Sequence, residues 1–89
     1  MSLININLQK ISDWSLEDNG RCIIKQFEFP DFKSAVDFIN KIAEITEKEE
    51  HHPEIKLYDY NKLEIKMFTS SVGGLTEKDF KVAEEIDKI

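Results

Sequence analysis

Apolar residues change their period at Pro53. Before it, Phe32, Ala35, Val36, Ile39, Ile42, Ala43 and Thr46 recur at the spacing of one helix face. After it, Leu63, Ile65, Met67 and Thr69 alternate with Glu64, Lys66, Phe68 and Ser70, the pattern of a strand with one buried side. A proline breaks a helix ladder and drives the residue before it into extended backbone. A helix that Asp31 can cap therefore ends near Glu50, and His51 and His52, the only histidines, fall at a helix-to-strand corner.

The remaining elements follow from local chemistry. "WSLEDNGRCIIKQFEF", Trp14 to Phe29, holds two β-rich runs joined by Asp18-Asn19-Gly20, whose Asn-Gly pair supplies the positive φ of a hairpin turn. A second pair of strands spans Glu54 to Thr69, turning near Tyr60-Asn61-Lys62. Thr76 caps a last helix with Asp79 as the third residue of a capping box, and Phe80, Ala83 and Ile86 or Ile89 face the core. Strand, strand, helix, strand, strand, helix lacks the alternation of a parallel sheet. The expected class is α+β in two layers, a four-stranded antiparallel sheet with helices packed on one face. Phe38 and Ile45 widen the apolar face of the long helix to about 180°, beyond the ~100° stripe that covers one core, so a subunit contact is expected there.

With 89 residues and no repeat, linker or low-complexity tract, one domain over 1–89 is expected, with a thin core that a partner subunit would help. Eighteen acids against twelve bases, with no Lys/Arg cluster, exclude the electrostatic footprint of a nucleic-acid binder. No segment has the ~20 apolar residues of a membrane span, no signal pattern opens the chain, and the single Cys22 suits a reducing compartment, so the cytoplasm is expected.

The chemistry centres on the corner. Helix C-terminal carbonyls with Glu47, Glu49 and Glu50 favour an imidazolium at His51, able to donate a proton; the plain alternative is a solvated acidic helix end. Adjacent residues diverge on helix and strand alike, and no third histidine or second cysteine exists, so no metal site is expected. Ser70 and Ser71 lie in no nucleophile pattern, and Gly73-Gly74 reads as a turn rather than a phosphate cradle. Asp79 is explained equally by its cap and by catalysis.

"EKEEHHPEI", "YNKLEIKMFTS", "GGLTEKDF" and "AEEID", preceded by Trp14 and "IIKQFEFPDFKSAVDFINKIAE", resemble in order the pattern of the pterin-4a-carbinolamine dehydratase family, from about Trp14 to Ile86. The resemblance implies homodimers or homotetramers, a pterin pocket near the His-His-Pro corner, and dehydration of a 4a-hydroxytetrahydropterin to the quinonoid dihydropterin without a cofactor. It makes His51 and His52 catalytic, and Glu47, Pro53, Thr69, Ser70, Ser71, Val72 and Asp79 substrate-binding. The chain departs from the family at Ser70, where a proton-transferring histidine is usual. A serine hydroxyl cannot replace an imidazole as proton acceptor near neutrality, so weakened activity is expected. The stretch from Pro53 to Tyr60 is one residue longer than the family pattern, which suggests a local bulge or a shifted pocket wall. A non-catalytic binding or assembly protein on the same fold is the alternative, and an unrelated acidic adaptor with an accidental His-His-Pro a third.

Overall fold

A computed structural model describes residues 7–89. Its elements are β1 (Ser15–Glu17), β2 (Cys22–Glu28), α1 (Phe32–Glu49), β3 (Glu54–Tyr58), β4 (Lys62–Met67) and α2 (Glu77–Ile86). The strands form one antiparallel sheet in the order β1-β2-β4-β3, and the inner sides of β2 and β4 share a core with both helices. This is the α+β architecture expected from the order of periods.

The β1–β2 turn occupies the Asp18-Asn19-Gly20 stretch. All three residues have positive φ, at 52°, 55° and 81°. Asp and Asn tolerate this region through local hydrogen bonding, and Gly20 enters it without steric cost. In the centre of the sheet Ile23 pairs with Met67 and Phe27 with Leu63, so alternate residues point into the core. Ile23, Leu63, Ile65 and Met67 are fully buried.

Lys25 pairs with Ile65 and so shares the inner face. Its Nζ meets Asp87 Oδ1 at 2.8 Å, with both side chains 14% exposed. Asp87 also accepts from Trp14 Nε1 and from the Ser12 amide, each at 2.9 Å. One carboxylate thus ties the end of α2 to the chain ahead of β1. A charge at such depth is tolerable because it is paired and its acceptor is saturated.

Asp31 caps α1 by accepting from the Ser34 amide at 2.8 Å. Hydrogen bonding from Ser34, by its side chain and its amide, holds the carboxyl below the ordinary value. The core-facing stripe differs from the expected one. Ala35, Ile42 and Thr46 are buried and Phe38, Ile39 and Ile45 pack against the core, whereas Phe32 is 54% exposed and Ala43 is exposed. The reason is aromatic: Phe38 sits 4.9 Å from Phe27 and 5.1 Å from Phe29, ring centre to ring centre, and this trio turns the helix. Phe38 and Ile45 thus pack against the chain's own core while remaining half-buried. The apolar surplus lies on the other edge of α1, at Phe32, Val36 and Ala43.

β3 pairs with β4 in continuous register from Glu54↔Lys66 to Tyr58↔Lys62, so no bulge interrupts it. The turn beyond carries positive φ at Asp59 and Tyr60, 47° and 54°. In α2, Phe80, Ala83 and Ile86 are buried as expected, joined by Val82, while Ile89 is 43% exposed.

Candidate active site

The corner after α1 is made by backbone. Glu50 takes the left-handed conformation, φ 54° and ψ 39°, and its amide bonds the Thr46 carbonyl. The His51 amide reaches the same carbonyl at 3.2 Å. This αL stop satisfies the carbonyl as the chain turns away, ahead of the proline.

The turn sends the two histidines to different places. The His51 side chain is 12% exposed, and its Nε2 lies 2.5 Å from Oδ1 of Asp79, whose side chain is fully buried. His52 is 59% exposed, with Nε2 only loosely near Glu47 Oε1 at 3.6 Å. The rings engage different acids and do not converge.

Asp79 is held on its other side by two donors. Oδ2 accepts from Thr69 Oγ1 at 2.7 Å and from the Thr76 amide at 2.9 Å, the latter closing the capping box of α2. Thr69 and Thr76 hydroxyls meet at 2.9 Å. Since the Thr69 hydrogen is committed to Asp79, the Thr76 hydroxyl donates to Thr69. As a carboxylate Asp79 is acceptor-only, so His51 carries its hydrogen on Nε2. Nδ1 is then left without a protein partner among the described residues. A buried, saturated carboxylate fixes both the tautomer and the tilt of the ring.

Thr69 is placed by a bridge to Gly74, its amide donating to the Gly74 carbonyl at 2.7 Å. The residues between form a turn, as Gly73-Gly74 suggested, with Gly73 at φ 64°. Ser71 and Val72 are its exposed tip.

Alternation separates Thr69 from Ser70. Thr69 continues the inner row and meets Asp79, whereas Ser70 continues the outer row of Lys66 and Phe68. Ser70 lines a cavity of about 510 Å³ with Asp18, Arg21, Cys22, Lys66, Phe68 and Gly73. Burial pushes the Cys22 thiol above its ordinary value, with Lys66 opposing. Of the residues expected to bind substrate, only Ser70 is in this wall. Glu47 is exposed beside His52, Pro53 is half-buried, and Thr69 and Asp79 are committed to the hydrogen-bond chain. The expectation had Thr76 only as the capping partner of Asp79 and missed its link to Thr69, as it missed Arg21, Lys66 and Phe68 as cavity wall. The period-2 pattern of 66, 68 and 70 carried that second signal.

The sequence matches the family model described as pterin 4 alpha carbinolamine dehydratase over residues 2–89. The chain belongs to the pterin-4a-carbinolamine dehydratase family. A Saccharolobus solfataricus protein named for this dehydratase is 40% identical over 80 residues, covering 90% of this chain and 81% of its own. One from Trichodesmium erythraeum is 43% identical over 83 residues, 93% and 86% of the two chains. The crystal structure of a transcriptional coactivator/pterin dehydratase from Brucella melitensis superposes with a TM-score of 0.87 at 31% identity, covering 99% of this chain and 95% of that one. A pterin dehydratase-like protein identified as a RuBisCO assembly factor in the alpha-carboxysome shares the fold, with a TM-score of 0.71 at 18% identity over 89% of this chain and 90% of that one. Among the described residues of this family member, no helix is long and apolar enough to cross a membrane.

Proposed function

We propose that this chain dehydrates a 4a-hydroxytetrahydropterin, with His51 as the proton-transferring group. The observation that carries the reading is the His51–Asp79 contact: Nε2 is anchored on a fully buried carboxylate, and Nδ1 is the atom left to exchange a proton. The reaction breaks the bond from ring carbon 4a to its hydroxyl, with one proton delivered to that oxygen as water leaves and another withdrawn from a ring nitrogen. Imidazole, with an ordinary pKa of ~6.5, serves either transfer near neutrality. Asp79 is a positioning residue in this scheme, and Thr69 and Thr76 position Asp79. His52, largely in solvent, assists by orienting the ligand.

Ser70 in place of a second imidazole leaves one of the two transfers to water. Positioned acid-base groups contribute typically ~10²–10⁴ each, so the rate falls below that of a member with both. The same Ser70 favours the second reading, a non-catalytic binding or assembly protein on this fold. An oligomer, dimer or tetramer, would draw on the edge of α1 where Phe32 and Ala43 are exposed and Val36 is half-buried. The test is the rate at which purified protein consumes a 4a-hydroxytetrahydropterin. Acceleration over buffer, abolished by His51→Ala and raised by Ser70→His, supports dehydration. No acceleration by either the wild type or Ser70→His supports the second reading.

A further inference from the structure

The cavity on the outer face of the sheet has no part in the proton-transfer scheme beyond Ser70. At about 510 Å³ it is large enough for a small molecule, which such clefts hold at roughly 300–1,000 Å³. Its wall combines an aromatic face, Phe68, with a hydroxyl, Ser70, and two cations, Arg21 and Lys66.

The cations differ in how they are held. Lys66 is half-buried, its Nζ 5.5 Å from the centre of the Phe68 ring, and among the described residues it forms no ion pair. Its register neighbours across the sheet are Ile24 and Glu54. Arg21 meets Asp18 at 3.9 Å with both side chains about three-fifths exposed, a pair that water and salt weaken and a better-placed acid can displace. The other charges near this wall are acidic: Asp18 lines it, and Glu17 and Glu54 act on Cys22 behind it. A free anion is thus not concentrated by the field as a whole. An acid group carried in on a ring that stacks on Phe68 enters a cavity whose wall also holds the two cations.

Resting on the pterin reading, we infer that this cavity is a subsite for the acidic substituent, carboxylate or phosphate, of a pterin ligand, with Lys66 and Arg21 as its specificity-determining residues. Charge-assisted hydrogen bonds from an ammonium and a guanidinium are stronger than neutral ones and select an anionic group over an alcohol. Ser70 is the hinge between the two sites: the cavity wall begins one residue from Thr69, whose hydroxyl holds Asp79. Exchange of a histidine for a small hydroxyl at this position leaves room for a larger substituent.

The experiment compares dissociation constants of three ligands by calorimetry: 6-hydroxymethylpterin, its phosphate ester and pterin-6-carboxylate. The expected result is that at least one acid binds about tenfold tighter than the neutral alcohol, with the advantage lost in Lys66→Gln and in Arg21→Gln; which acid gains names the natural substituent. Equal binding of all three overturns the subsite and leaves the pterin reading standing. If none of the three binds, the pterin reading fails, and inorganic phosphate decides the subsite. Amide shifts at Lys66, Phe68, Ser70 and Gly73 that vanish in Lys66→Gln support it, and the absence of localised shifts overturns it.

Discussion

Thr69 donates its hydroxyl hydrogen to Asp79 at 2.7 Å, on the carboxylate oxygen opposite the one that meets His51. The two residues are ten positions apart, on the extension of β4 and in the first turn of α2. The contact joins the sheet to the helix and, through Asp79, to the ring of His51. Thr69→Val keeps the shape but removes the donor. The expected cost is about 1–3 kcal/mol of unfolding free energy, read from urea midpoints, because Asp79 loses a donor and the Thr76 hydroxyl loses its acceptor.

Asp79→Asn tests positioning separately from stability. Its side-chain amide can offer a hydrogen where Asp79 only accepted, so it no longer selects the Nε2–H form of His51. The expected outcome is a fall in kcat of at least about tenfold with KM nearly unchanged, since the histidine remains but its tautomer is free. A purely structural Asp79 would instead lower the active fraction without changing the pH profile of the remainder.

The Lys25–Asp87 pair predicts an asymmetry. Asp87→Leu strands the ammonium of Lys25, the indole N–H of Trp14 and the Ser12 amide, and is expected to cost roughly 2–4 kcal/mol. Adding Lys25→Met restores part of that loss, because two apolar side chains leave fewer groups unpaired. Thermal unfolding of the two variants side by side measures the difference.

Along α1, Phe32→Asp and Phe38→Asp separate surface from core. Phe38 closes the ring trio with Phe27 and Phe29, so Phe38→Asp is expected to unfold the protein, and Phe38→Ala to cost roughly 2–4 kcal/mol. Phe32 stands in solvent, and Phe32→Asp is expected to leave the circular dichroism spectrum intact while lowering the sedimentation coefficient of any oligomer.

Asp31 gives a pH dependence of defined sign. Hydrogen bonding from Ser34 lowers its folded-state pKa, so its stabilisation is present above the unfolded value of ~3.9 and is lost as pH falls through the lowered folded value. The stability gap between wild type and Asp31→Ala is expected to stay level from about pH 7 to 5 and to close below about pH 4. Urea midpoints across that range check it.

Much of this was legible before any coordinates. The switch of period at Pro53 placed the helix, the corner and the second strand pair, because proline acts locally and alternation needs only one buried face. The Asn-Gly turn and the Thr76–Asp79 box were equally local. The azimuth of α1 was not: the wheel counts apolar residues but cannot see that Phe38 finds Phe27 and Phe29, so the stripe was read one edge too far toward Phe32 and Ala43. In the candidate site, the neighbourhood of His51 marks it as a titratable group at the corner, and Asp79 is marked by its cap and by the resemblance. Their meeting was invisible, because 28 positions separate them and only the sheet-to-α2 packing closes the gap. The different fates of His51 and His52 likewise depend on the αL turn at Glu50, which the sequence does not mark with a glycine.

The most direct test is the tautomer of the His51 ring, read from long-range 1H–15N correlations in a titration carried upward in pH until the ring holds a single proton. The account predicts an Nε2–H tautomer with an unprotonated Nδ1 whose shift moves when a dihydropterin is added. A ring protonated on Nδ1, or an Nδ1 signal indifferent to the dihydropterin, would contradict it.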